Sequence, residues 1–102
     1  DEYLQPDFTI DRLSEMVGSK SKLVSQVINE KAGCNFNNFI NGYRIREACV
    51  RINDVEKYGN LTLDAISKSV GFRARSSFFK ALKSVTGLTP SEFIKIARQK
   101  ES

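Results

Sequence analysis

Thr9-Ile10-Asp11-Arg12-Leu13-Ser14-Glu15-Met16-Val17-Gly18 and Thr62-Leu63-Asp64-Ala65-Ile66-Ser67-Lys68-Ser69-Val70-Gly71 are two versions of one segment. Thr, Asp, Ser, Val and Gly coincide, and the Ile/Leu pairs match in kind, at an offset of 53 residues. Past the glycines the match resumes at an offset of 54. There Val27, Ile28, Gly33, Phe39 and Ile40 face Ala81, Leu82, Gly87, Phe93 and Ile94. A duplication with one residue inserted after the first glycine of the second copy means two similar supersecondary units in one domain.

Each copy reads as helix, turn, helix. Thr9 and Thr62 suit the N-cap, where a hydroxyl oxygen accepts from an orphan backbone N–H. Asp11 and Asp64 follow in the first turn, where the helix dipole favours negative charge. Ile10, Leu13 and Val17 are spaced by three and four residues, which is one helical face, and Leu63, Ile66 and Val70 repeat it. Gly18 and Gly71 stand where each first helix is expected to stop. A second helix follows each glycine. Val24, Val27, Ile28 and Lys31 form the inward stripe of one, and Lys22, Ser25, Gln26 and Asn29 the outward one. In the other, Phe78, Leu82 and Val85 point inward, and Arg75, Ser76, Phe79, Lys80 and Lys83 outward. Gly33 and Gly87 end these helices.

Between the units, Asn35 can cap a helix whose apolar face is Phe36, Phe39, Ile40, Tyr43, Ile45, Ala48 and Ile52. That helix runs to about Asn53 and serves as a rigid strut. Asp54 to Leu61, with Gly59 and Asn60, reads as a loop. Thr89-Pro90-Ser91-Glu92 is a capping box with Pro at the first helical position, opening a last helix through Phe93, Ile94 and Ile96. No alternating run announces a strand. The expected architecture is all-α, one domain over 1–102. Its helix-turn-helix units cover about 9–33 and 62–87, joined by a linker helix over about 35–53, with a C-terminal helix over about 90–98.

Composition narrows the chemistry. The chain has 102 residues, 40% hydrophobic, and no His. That excludes Ser-His and Cys-His catalysis and any zinc site with a His ligand. Two cysteines, Cys34 and Cys49, cannot make a four-thiolate site and are read as reduced and structural. No glycine-rich phosphate loop or paired carboxylates suggest an enzyme, and no cofactor or metal is expected. No apolar run reaches the roughly 18 residues needed to span a membrane. No secretory signal opens the chain, so a cytoplasmic location is expected for it, although a longer parent protein with a membrane anchor is compatible. A first residue of Asp1 in place of Met reads as a fragment of such a parent.

The net charge is +4, unevenly spread. Residues 1–18 carry Asp1, Glu2, Asp7, Asp11 and Glu15 against Arg12 alone. Residues 65–100 carry eight Lys and Arg against Glu92 alone. A basic half is an electrostatic footprint for polyanions, though a solvated lysine-rich surface has the same charge.

A helix-turn-helix lays its second helix in the DNA major groove. Arg75 can then bond guanine O6 and N7 with two parallel donors, and Gln26 can do the same with adenine N6 and N7. Lys22 and Lys80 reach guanine or phosphate, and Ser25 and Ser76 are short adaptable partners. Phe79 is either a contact for a thymine methyl or a boundary core residue beside Phe78. Lys20, Ser21, Arg73, Ser77 and Lys83 are candidates for phosphate. Two unlike units on a strut imply an asymmetric site in double-stranded DNA, read in successive major grooves about 34 Å or 10 bp apart. Arg44 and Arg46 on the strut fit either phosphate contact or pairing with a carboxylate.

Together these residues carry a resemblance. Ile66-Ser67-Lys68-Ser69-Val70-Gly71-Phe72, Ser76-Ser77-Phe78-Phe79-Lys80-Ala81-Leu82-Lys83 and Thr86-Gly87-Leu88-Thr89-Pro90-Ser91-Glu92-Phe93 follow one known pattern. Phe39-Ile40-Asn41-Gly42-Tyr43-Arg44-Ile45-Arg46-Glu47-Ala48 follows its linker helix. Over about residues 8 to 97 the chain resembles the C-terminal DNA-binding domain of AraC/XylS transcription regulators. The resemblance implies two helix-turn-helix subdomains on a long helix. It puts recognition positions at Lys22, Ser25, Gln26, Arg75, Ser76, Phe79 and Lys80. It also implies regulation of bacterial transcription, usually activation, with RNA polymerase as a partner and a sensing or dimerising domain elsewhere in the parent chain. A helix normally precedes the first unit, and Asp1 to Pro6 can hold only its end. Two leucines commonly end the linker helix where this chain has Arg51-Ile52, which leaves open a solvent-facing Arg51 or a different helix end. Leu82 stands where Phe is common.

Two rivals differ in class. A helical protein-interaction module would show an apolar patch on the outward faces, which here are mostly Lys, Arg, Ser and Gln. A redox switch would need Cys34 and Cys49 close together, and two ordinary small residues is the simpler reading.

Overall fold

The computed structural model describes residues 1–99. After a turn of 3₁₀ helix at Glu2–Leu4 come α1 (Ile10–Val17), α2 (Ser21–Ala32), α3 (Phe36–Asn53), α4 (Val55–Tyr58), α5 (Leu63–Ser69), α6 (Arg75–Thr86) and α7 (Pro90–Gln99). Among the described residues there is no strand. α1 with α2, and α5 with α6, are the two helix-turn-helix units, and α3 is the strut.

The expected caps form. Thr9 Oγ1 accepts from Arg12 N at 3.1 Å and Thr62 Oγ1 from Ala65 N at 3.0 Å. Asn35 Oδ1 accepts from Asn38 N at 2.9 Å. In the capping box Thr89 N donates to Glu92 Oε1 at 2.9 Å and Glu92 N to Thr89 Oγ1 at 3.2 Å. Those bonds from Thr89, its backbone N–H first, hold the Glu92 carboxyl below the usual carboxylate range.

The molecule is elongated, 48 × 23 × 21 Å, with a radius of gyration of 14.9 Å. A compact chain of this length has about 13 Å. The excess reflects two lobes on one strut. Packing is uneven between them. The buried cluster is Ile45 and Ala48 of α3, Ile66, Val70 and Phe72 around α5, and Phe78 and Leu82 of α6. Leu4, Ile52, Leu63, Phe79 and Phe93 pack against it. The first unit buries only Ile28 and Ser14, with Ile40 of α3 beside it. Leu23 and Val27 on α2 stay 52% and 47% exposed, and Met16 and Val17 are exposed too. An open hollow lined by Tyr3, Phe8, Leu13, Met16, Phe39 and Tyr43 adjoins α1.

Several expectations need correction. Asp54 to Leu61 is not all loop: Asp54 Oδ1 accepts from Lys57 N at 3.2 Å and Asp54 O from Tyr58 N at 2.9 Å, which closes one helical turn. Arg51 neither faces solvent nor ends the helix early. Its Nη1 donates to Ser69 O and Oγ at 3.2 and 2.9 Å, and its guanidinium lies 5.5 Å from the Tyr58 ring centre. Polar bonds to the end of α5 thus stand where the resemblance led us to expect a leucine contact. Gly71 does close α5 as expected: it follows the Val70 C-cap at φ +107°, with Gly71 N donating to Lys68 O at 3.1 Å and Phe72 N to Ser67 O at 3.0 Å. Val27, Lys31 and Val85, expected on inward stripes, are exposed. Val27 lies at the edge of its stripe, about 60° round the helix from Val24.

Among the described residues Arg44 pairs with no carboxylate, and it is largely withdrawn from solvent. It is 9% exposed, and its Nε and Nη2 donate to Tyr3 O and Gln5 O at 2.7 and 2.8 Å. Burial lowers its pKa. Gly71 allows this close approach: at φ +107°, a Cβ there would fall 2.8 Å from Arg44 Nε and 2.8 Å from Leu4 O. α3 is thereby fastened to the N-terminal turn through one arginine, with Gly71 of the second unit close beside it. Arg46 lies 5.1 Å from the Tyr43 ring centre. Cys34 and Cys49 are free thiols, and burial pushes Cys49 up.

Candidate nucleic-acid interface

Helix starts distinguish α2 and α6 from their neighbours. Each helix leaves its first N–H groups without intrahelical partners. A side chain takes up one of them in α1, α3, α4, α5 and α7. Lys20 and Ala74, the N-caps of α2 and α6, make no such bond. The second helix of each repeat therefore begins with uncapped N–H groups and the positive end of its dipole, a combination suited to an anion such as phosphate. Neither helix has an acidic residue in its first turn.

The outward faces lie mostly where the spacing put them. Lys20, Lys22 and Gln26 are exposed at α2, and Arg73, Arg75, Ser76, Ser77, Lys80 and Lys83 at α6. Gln26 Nε2 makes only a long contact, 3.5 Å, to Glu30 Oε1. Three residues are less available. Ser25 is half-buried. Ser21 is half-buried and its hydroxyl donates to Asp11 Oδ1. Phe79 is half-buried, packed on the core with its ring centre 5.9 Å from that of Phe78, and it walls a groove with Lys80, Lys83 and Pro90.

Two first-turn carboxylates, expected only to favour helix dipoles, also reach the second helices. Asp64 Oδ1 lies 3.5 Å from Arg75 Nε, and Asp64 Oδ2 lies 3.3 Å from Lys68 Nζ. Asp11 makes the equivalent reach to Ser21. The signal was present in the repeat, because Asp11 aligns with Asp64 and Ser21 with Arg75. Among the described residues no cluster of His, Cys, Asp and Glu is arranged to hold a metal. No described helix is long and apolar enough to cross a membrane.

Comparison with known proteins decides the family. The helix-turn-helix domain family of the AraC type matches residues 13–96. The chain belongs to that family. It is a family of DNA-binding transcription regulators, not of enzymes. Curated relatives of this AraC-type domain include uncharacterised HTH-type transcriptional regulators of Staphylococcus aureus. Those of strains COL and MSSA476 are each 29% identical over 91 residues, covering 89% of this chain and 12% of the relative. The AraC-type chain thus spans about an eighth of their length. Solved structures share its fold. The C-terminal domain of AraT, a response regulator from Geobacillus stearothermophilus, superposes with a TM-score of 0.74 at 20% identity, over 92% of this chain and 74% of that one. The C-terminal domain of the response regulator yesN from Fusobacterium nucleatum gives 0.71 at 23% identity, over 90% and 85%.

Proposed function

We propose that this AraC-type domain binds double-stranded DNA sequence-specifically, with α2 and α6 in successive major grooves, and so regulates bacterial transcription by activation. The observation that carries the reading is that the second helix of each repeat starts uncapped and cationic. Base edges are met by Lys22, Ser25 and Gln26 from α2, and by Arg75, Ser76, Phe79 and Lys80 from α6. Phosphates are held by Lys20, Ser21, Arg73, Ser77 and Lys83. The 48 Å long axis leaves room for two helices one DNA turn, about 34 Å, apart. RNA polymerase, and a sensing or dimerising domain of a longer cytoplasmic or membrane-anchored chain, complete this reading as partners.

Selection of duplex DNA from a random pool at moderate salt tests it. Two unlike sequence blocks about 10 bp apart support the reading. Arg75→Ala should then cost about 1–3 kcal/mol and relax one position only. No enrichment by folded protein would refute it. One observation favours a narrower alternative: exposed Leu23 and Val27 suit α2 to a protein surface. A single enriched block, with binding unchanged by Lys22→Ala and Gln26→Ala, would favour that alternative for the first unit.

A further inference from the structure

In both repeats the first-turn aspartate of the first helix reaches the first residue of the second helix. Asp11 Oδ1 accepts from the Ser21 hydroxyl, and Asp64 Oδ1 lies 3.5 Å from Arg75 Nε. The contact recurs although the residue met has changed from Ser to Arg and the turn has gained a residue.

The helix dipole favours a carboxylate in this first turn, but it does not direct that carboxylate at Arg75. The side chains of Arg75 and Asp64 are 64% and 33% exposed, and exposed pairs contribute little to folding. A negative charge beside a face meant for a polyanion also opposes binding. What the carboxylate can do is aim. A guanidinium has five donors in one rigid plane. Guanine O6 and N7 take two parallel donors. With Asp64 Oδ1 3.5 Å from Nε, on one side of the guanidinium, the ion pair biases Arg75 toward orientations that leave its terminal Nη groups for a base. A restrained arginine also loses less rotamer freedom when it meets its base. Asp64 is itself steadied, since Lys68 Nζ lies 3.3 Å from its other oxygen and Thr62 caps the turn that carries it.

We infer that Asp64 is a positioning residue for base discrimination by Arg75, exchanging general affinity for selectivity at one base pair. This rests on the DNA-reading function proposed above. The two fail differently. If the unaltered protein selects no sequence, the function reading falls and this inference with it. If it selects a site, the inference stands or falls alone.

The test uses Asp64→Asn, which keeps shape and removes charge, with Arg75→Ala and the double variant. The base pair read by Arg75 is the one whose preference Arg75→Ala flattens, by about five- to 100-fold. Asp64→Asn is expected to reduce the preference at that pair by about three- to tenfold, leave the other positions unchanged, and bind random-sequence DNA more tightly. In the Arg75→Ala background it should have no further effect at that pair. Thermal melting of each variant accompanies the binding curves. Full preference retained in Asp64→Asn would overturn the inference. So would an equal loss at every position with a lowered melting temperature, because that is what a merely structural role produces.

Discussion

Arg44→Ala should unfold this domain far more readily without touching its DNA-facing surface. The guanidinium donates to Tyr3 O and Gln5 O at 2.7 and 2.8 Å and is 9% exposed. Hydrogen bonds from a charged donor contribute about 1.5–3 kcal/mol each, so losing both costs about 3–6 kcal/mol. Part returns, because the variant no longer keeps a desolvated charge, the same desolvation that lowers the arginine's pKa. A net loss of about 2–4 kcal/mol remains, a large share of the 5–15 kcal/mol typical of such domains. At about 4–8 °C per kcal/mol, the melting temperature falls by about 8–32 °C. Arg44→Lys keeps the charge but loses the fork, and should lose about half as much. Urea denaturation followed by circular dichroism reads both. A variant within about 0.5 kcal/mol of the parent, with weaker and less salt-sensitive DNA binding, would refute this reasoning and make Arg44 a phosphate ligand.

Three further outcomes are expected. Gly71→Ala should cost about 2–4 kcal/mol, at least twice Gly18→Ala, since both have positive φ but only Gly71 would press a Cβ on Arg44 and Leu4; equal losses in chemical denaturation would contradict the close approach. The Glu92 carboxyl has a folded pKa below its ordinary 4.5, so its contribution to stability is whole above that value and fades as pH falls through the depressed one. Glu92→Gln should therefore flatten the fall of melting temperature in acid, and an unchanged profile would count against the capping box. Cys49, half-buried with its thiol pushed up, should react with iodoacetamide at least about fivefold more slowly in the native protein than in urea, and equal rates would show it to be accessible.

Local chemistry carried most of the fold into the sequence. Thr9, Thr62, Asn35 and the Thr89–Glu92 box each act on a backbone group three residues away, so spacing alone reveals them. The repeat supplied the architecture for the same reason. What stayed hidden depends on distant partners. The arginine–carbonyl bonds span 41 and 39 residues, and no side-chain pattern marks a carbonyl acceptor. The role of Gly71 follows from those bonds. The turn of α4 is held by Asp54 and by the stacking of Arg51 on Tyr58, within a stretch whose Gly59 and Asn60 signal only a break. At the interface, helical spacing found the outward faces but not the Asp64–Arg75 pair. It also left both readings of Phe79 open, and the half-buried ring packs on the core while still lining an open groove.

The uneven burial of the two lobes has a dynamic consequence. Segments with few buried apolar contacts open locally at less than the global unfolding free energy. α1 and α2, anchored through Ile28 and Ile40, belong at the low end of that scale, and the cluster around Ile45, Phe78 and Leu82 at the high end. If α2 and α6 read DNA as proposed, the chain would stand on one firm foot and one loose one. The firm foot, in the more basic half, would hold any sequence by charge. The loose foot would lose more freedom on contact, a cost recovered only over the right bases. A mismatch under α2 would then leave the protein tethered and still searching, and a match under both would convert a tether into a residence.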